Sequence, residues 1–149
     1  MMYFVDRKKI EEILQYMNGL LEEVINNNFQ TGIEKMGLER ITHVLIESAL
    51  DVGNMMIDGF IMRDPGSYED IIDILIDEKV IPERQEEIYK QFIGLRKSLV
   101  TDYMMIDHKQ LEIELKEYAP TLKEFSNYIQ AYLKNELGVA NAFIPENEK

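Results

Sequence analysis

Residues 111–132 read LEIELKEYAPTLKEFSNYIQAY, and their apolar positions follow one another at alternating steps of four and three residues. The positions are Leu111, Leu115, Tyr118, Leu122, Phe125, Ile129 and Tyr132. This spacing is typical of a helix that packs lengthwise against others through a coiled-coil seam. The pair Asp107 and Gln110 predicts a cap at its start, and Gly138 is expected to end it. Pro120 lies within the seam and should kink or interrupt the helix.

Four more helices are predicted upstream of this seam. Apolar residues three or four apart, interrupted by capping and turn signals, place them at 6–28, 32–62, 68–78 and 82–103. Thr31 with Glu34, and Ser67 with Asp70, have the spacing of a helix cap. Pro82 suits a first helical position, where its missing N–H is not needed. With no strand pattern, the expected fold is an all-α, up-and-down bundle of about four long helices and one short helix.

Composition limits the classes of protein that this chain can represent. Its 149 residues carry 16 basic and 28 acidic side chains, a formal charge of −12, and no cysteine. We expect one domain over 1–138, an acidic and flexible tail over 139–149, and no signal peptide or membrane span. The lack of cysteine fits a reducing compartment, so a cytoplasmic location is predicted. The acidic excess argues against a protein that coats nucleic acid by bulk attraction, and any RNA contact must be local.

A polar stripe runs along one face of the second predicted helix. Its members are Arg40, His43, Glu47, Asp51, Asn54 and Asp58, spaced by three or four residues. One interpretation is a solvated face of an amphipathic helix. The other is that Glu47, Asp51 and Asn54 face a polar cleft or a partner subunit.

The segment 94–108, GLRKSLVTDYMMIDH, closes the fourth helix and holds one of only two histidines in the chain. The spacing of residues in this segment is also compatible with a purely structural role, as a helix end whose cations lie near the negative end of the helix dipole. His108 is expected to be a first-turn residue of the fifth helix. His43 could approach Arg96 only in a suitable helix register, and otherwise is a partly buried structural histidine.

The stretch 96–103, RKSLVTDY, resembles the signature of HepT-like HEPN proteins, in which arginine is followed after four residues by histidine and two further on by tyrosine. Residues 38–54 and the stretch SYED at 67–70 resemble the same family. The resemblance implies a homodimeric, all-helical ribonuclease toxin that cuts RNA without a metal or cofactor. It also implies an antitoxin partner of the minimal nucleotidyltransferase class.

The same resemblance assigns roles to individual residues. Arg96 would bind phosphate, and Tyr103 aligns with the tyrosine that the partner can modify with AMP. Thr101 stands at the catalytic histidine position and Lys97 where asparagine is common, so ribonuclease activity should be weak or lost. Glu47, Asp51 and Asn54, with Lys97, would support the cleft. The alternatives are a non-catalytic dimer that binds a nucleotide, RNA or a partner chain, and a plain helical scaffold.

Overall fold

The computed structural model describes residues 5–140, with side chains to residue 137, and contains five α-helices. They are α1 (Arg7–Asn26), α2 (Gly32–Gly59), α3 (Tyr68–Asp77), α4 (Glu86–Val100) and α5 (His108–Ala140). No strand occurs between residues 5 and 140, so the predicted all-α bundle is confirmed. Of the predicted tail, residues 141–149 lie outside the described part of the chain.

The caps predicted from residue spacing are present. Thr31 accepts a hydrogen bond from the N–H of Glu34, whose carboxylate accepts one from the N–H of Thr31, at 3.1 and 2.8 Å. The Ser67 hydroxyl accepts from the N–H of Asp70. Asp107 does the same for Gln110 at the start of α5. Each side chain satisfies an N–H group that the helix itself leaves free, which fixes where the helix begins.

Two predicted boundaries are wrong, because anchoring of the chain in the core overrides local propensity. The second helix ends at Gly59 rather than Met62, since Phe60 is buried and Ile61 adopts a left-handed φ of 56°. Pro82 is extended rather than helical, with ψ of 143°, and follows the buried Ile81. A single 3₁₀ turn at Glu83–Gln85 then leads into α4.

The end of α4 also differs from the prediction, stopping at Val100 instead of Tyr103. The N–H of Thr101 donates to the carbonyl of Lys97, and that of Asp102 to Ser98, so the last turn closes there. A non-helical turn over 101–107 then joins α4 to α5. Part of the sequence signature, residues 101–103, therefore lies outside the helix.

Pro120 does not interrupt α5, which also continues past Gly138. Proline within a helix removes one hydrogen bond and costs about 3 kcal/mol or more. Burial of the apolar side chains before and after the proline offsets that cost. Leu115, Leu122 and Phe125 are almost completely buried, while Pro120 faces solvent. The expected interruption is therefore wrong.

The packing of α2, α3 and α4 positions the polar residues considered below. The α5 seam contacts α1, α2 and α4, while α3 lies against α2 and α4. Gly53 of α2 allows the close approach of α3: a Cβ there would lie 2.6 Å from Cγ2 of Ile71. The three helices consequently converge at their solvent-facing edge.

Candidate functional site

Arg96 of α4 and Glu47 of α2 form the polar contact between these helices. The guanidinium Nε donates to Oε1 of Glu47 at 2.6 Å. His43, one turn earlier on α2, places Nε2 3.4 Å from the same carboxylate oxygen. Tyr68, the first residue of α3, lies with its ring centroid 4.7 Å from the guanidinium carbon. We call His43, Glu47, Tyr68 and Arg96 the Arg96 cluster.

The contacts of Arg96 hold the guanidinium without using all of its donors. Glu47 raises the pKa of Arg96 through a hydrogen bond to Nε and through its charge. The Tyr68 ring covers one face of the guanidinium, an arrangement that favours the cation. Neither terminal nitrogen of Arg96 donates a hydrogen bond to a residue of the described range. Those nitrogens can therefore bind a phosphate as a fork.

The loop before α3 is fixed by Asp70, and this fixes the position of Tyr68. Asp70 accepts two hydrogen bonds from Arg63, at 2.7 and 2.8 Å, and a third from the N–H of Gly66 at 2.8 Å. Donation from Arg63 and from the backbone lowers the pKa of Asp70 to about 2. Because the Ser67 cap begins α3 immediately afterwards, the Tyr68 backbone is held at the edge of the cluster.

A cavity of about 400 Å³ lies between the start of α3 and the last turns of α4. Tyr68, Arg96, Lys97 and Thr101 all line it. Three of the residues predicted from the sequence signature therefore share one surface depression. It offers two cationic side chains beside an aromatic ring, which suits a phosphate and an attached base.

Thr101 and Tyr103 lie at and beyond the end of α4. The Thr101 hydroxyl donates to the carbonyl of Lys97 at 2.5 Å, so it completes the helix end. Tyr103 lies in the following turn and is 62% exposed. It does not line the cavity that contains Arg96.

The polar stripe on α2 divides into two parts. Glu47 and His43 join the Arg96 cluster, whereas Asp51 and Asn54 are exposed further along the helix. Neither Asp51 nor Asn54 makes a side-chain hydrogen bond or ion pair with any residue of the range 5–137. Asp51 and Asn54 thus face solvent, whereas Glu47 contacts α4 through Arg96.

His108 is the first residue of α5, as expected. Its Nε2 lies 2.6 Å from Oε2 of Glu39, so it links α5 to the N-terminal half of α2. Sequence reasoning missed the role of Tyr68. Tyr68 lies within the SYED stretch at 67–70, but no spacing in the sequence indicated that its ring would lie against Arg96.

Two kinds of feature are absent from the part of the chain that the structure describes. Among the described residues, no three His, Cys, Asp or Glu side chains are grouped so that they could hold a metal ion. The helices between residues 5 and 140 include none with the length and apolar character needed to cross a bilayer.

The family described as "Ribonuclease HepT-like" matches residues 7–129, most of the chain. The chain belongs to the HepT-like ribonuclease family. A relative from Bacillus subtilis (strain 168), named "Putative RNase YutE", is 47% identical over 143 residues, which are 95% of this chain and 99% of the relative.

The same relationship extends to three dimensions. A solved structure, "Structure of Cytosolic Protein of Unknown Function YutE from Bacillus subtilis", superposes with a TM-score of 0.88. The superposition covers 92% of this HepT-like chain and 96% of YutE at 47% identity. The helical arrangement that forms the Arg96 cluster is thus embedded in a fold that the two proteins share.

Proposed function

We propose that the protein is a metal-independent endoribonuclease whose cleavage site is the Arg96 cluster, with an activity weakened by Thr101. The observation that carries the proposal is the guanidinium held by Glu47 and Tyr68 in a chain of the HepT-like ribonuclease family. Its terminal nitrogens have no hydrogen-bond partner among the described residues. A guanidinium in this state can stabilise the negative charge that develops at phosphorus during cleavage.

The presence of Thr101 supports the proposal that the rate of RNA cleavage is low. Its hydroxyl is engaged with the Lys97 carbonyl and has no protonation equilibrium near neutral pH. A histidine at this position would contribute general acid–base catalysis, which is worth about 10²–10⁴-fold. Without a histidine at this position, the protein should cut RNA slowly.

The biological role that we propose is the toxin half of a toxin–antitoxin pair, acting as a homodimer in the cytoplasm. The turn after α4 exposes an apolar surface beside the cavity, including Met104 and Met105 at 84% and 83% exposure. A second copy covering this surface would bring two Arg96 clusters towards one another. The antitoxin would be a minimal nucleotidyltransferase that adds AMP to Tyr103, whose exposed phenol is accessible to such an enzyme.

Incubation of purified protein with single-stranded RNA in the presence of a chelator tests the ribonuclease proposal. We expect slow cleavage that Arg96→Ala abolishes and Arg84→Ala leaves unchanged. Arg84 is the matched control because it is an exposed arginine that donates to Tyr128, away from the cluster. Thr101→His should increase the Arg96-dependent rate. Equal cleavage by the wild type and Arg96→Ala would identify a contaminating nuclease and reject the proposal.

A second candidate is a non-catalytic protein of the same fold that binds RNA or a nucleotide. The hydrogen bond from the Thr101 hydroxyl to the Lys97 carbonyl favours this candidate, because it engages the side chain in the end of α4. Such a protein would bind labelled RNA in an Arg96-dependent manner while forming no product under any condition. Fluorescence anisotropy and gel analysis on the same samples separate the two candidates.

A further inference from the structure

We infer that His43, on α2, supplies proton transfer for RNA cleavage at Arg96, a role that Thr101, at the end of α4, cannot fill. The inference rests on the proposed ribonuclease function and names a further residue of that site. It concerns a histidine outside the sequence signature, brought to the signature arginine only by the packing of two helices.

The geometry that supports this role is a carboxylate shared between two helices. Oε1 of Glu47 lies 2.6 Å from Nε of Arg96 and 3.4 Å from Nε2 of His43. An imidazole and a guanidinium therefore flank one oxygen atom, close enough to act on the same phosphodiester. All three side chains are partly accessible to solvent, so a substrate can reach them.

Glu47 also selects the useful protonation pattern of the ring. Because Nε2 faces the carboxylate, the neutral imidazole keeps its proton on Nε2, and Nδ1 is left as the proton acceptor. Nδ1 has no hydrogen-bond partner among the described residues. The contact at 3.4 Å exceeds the usual hydrogen-bond length, so Glu47 orients the ring mainly through its charge.

Other charged groups near His43 leave this arrangement intact. On α2, Glu39 lies one turn before His43 but is engaged by His108. Arg40 is exposed and forms no ion pair within the described residues. From α4, Arg96 is neutralised in part by the carboxylate that it shares with the imidazole.

The reaction step follows from these positions. Nδ1 of His43 accepts the proton of an RNA 2′-hydroxyl, and the 2′-oxygen forms a bond to the adjacent phosphorus while the bond from phosphorus to the 5′-oxygen breaks. The terminal nitrogens of Arg96 stabilise the phosphoryl oxygens. The departing 5′-oxygen takes a proton from water, and His43 returns its proton to solvent. The products are a 2′,3′-cyclic phosphate and a 5′-hydroxyl, and the step needs no metal or redox partner.

The test compares His43→Ala with His108→Gln, which removes the second histidine of the chain. His108 is also a half-buried histidine paired with a glutamate of α2, but it lies outside the Arg96 cluster. We expect His43→Ala to lower the Arg96-dependent cleavage rate by about 10²-fold or more, with RNA affinity nearly unchanged. His108→Gln should cleave at the wild-type rate. Added imidazole should restore part of the activity of His43→Ala, which a purely structural histidine would not allow.

The outcomes separate this inference from the proposal on which it rests. Cleavage by His43→Ala at the wild-type rate, with Arg96→Ala inactive, overturns the role of His43 and leaves the ribonuclease function intact. Lost activity that imidazole does not restore in a folded His43→Ala protein also overturns it. Absence of any Arg96-dependent cleavage in the wild type rejects both. His43→Gln replaces the alanine variant if circular dichroism shows that the latter is unfolded.

Discussion

Glu47 has two opposing effects at the residue scale. Its charge partly cancels that of Arg96 and so weakens the attraction for phosphate, yet the same carboxylate holds both the guanidinium and the imidazole in place. Binding of RNA and cleavage of RNA should therefore respond in opposite directions when this charge is removed.

We predict that Glu47→Gln binds single-stranded RNA a few-fold more tightly but cleaves it at least ten-fold more slowly. The amide can still accept from Nε of Arg96, while the charge that orients His43 is lost. Anisotropy and single-turnover cleavage measure the two quantities separately. Asp58→Asn is the control, because it removes the same charge from an exposed position of α2. A parallel loss of binding and cleavage in Glu47→Gln would contradict the prediction.

The second residue-scale prediction concerns Asp70. Its folded-state pKa of about 2 lies below the ordinary carboxylate value of about 3.9. A lowered pKa contributes stability above the unfolded-state pKa, and the contribution is lost as pH falls from about 4 to about 2.

The thermal midpoint of Asp70→Asn should therefore lie below that of the wild type at pH 6, and the difference should shrink as pH falls below about 4. The control is Asp64→Asn, which changes an exposed carboxylate in the loop before α3. A difference that stays constant down to pH 2 would mean that Arg63 and Gly66 do not hold the charged form of Asp70.

At the scale of helices, signals carried by nearby residues were predicted well from the sequence. The caps at Thr31, Ser67 and Asp107 depend on atoms three residues apart, and the structure has all three. Boundaries decided by tertiary packing, such as Pro82 and the continuation of α5 through Pro120, were not predicted.

At the candidate site, too, local sequence patterns identified single residues but not the contacts between helices. Arg96 was found because the signature is one short contiguous stretch of sequence, and Glu47 because it lies on a polar stripe. Their contact joins residues 49 positions apart in sequence and depends on the register between α2 and α4, which no local pattern encodes. The placement of His43 and Tyr68 follows from that register, so their proximity to Arg96 could only be seen in three dimensions.

The register of α2 against α3 depends on Gly53. We predict that Gly53→Ala lowers the free energy of unfolding by about 1–2 kcal/mol, because overpacking against Ile71 outweighs the higher helix propensity of alanine. Gly37→Ala, in the same helix but with no atom within 4 Å of the new Cβ, should instead stabilise the fold by up to about 1 kcal/mol. Urea unfolding of both variants measures the difference. Equal stabilisation by the two substitutions would show that α3 moves to accommodate the new methyl group with no loss in the free energy of unfolding.

At the scale of the whole molecule, the charge of −12 restricts how RNA can be bound. Long-range attraction is absent, and binding must come from the few cations at the cavity, chiefly Arg96 and Lys97. For a homodimer, four such side chains are available to one strand.

The salt dependence of RNA binding should reflect this small number. With a slope of about −0.7 per phosphate contact for single strands, four contacts predict a plot of log affinity against log salt concentration with slope about −3. In a homodimer, Arg96→Ala removes two of the four contacts and should therefore reduce the magnitude of the slope by about half. A wild-type slope near −1.4 would indicate that one protomer acts alone, and a value steeper than about −5 would reveal a broad basic surface elsewhere.

The turn between α4 and α5 also makes the molecule unevenly sensitive to oxidants. Met104 and Met105 expose their thioethers, whereas Met17 and Met56 are shielded in the core. Peroxide would reach the first pair and convert an apolar surface into one bearing polar sulfoxides, while the buried sulfurs stay reduced. If the proposed homodimer forms through this surface, oxidation of the separate protomers would prevent their association without unfolding them, and methionine sulfoxide reductase treatment would restore it.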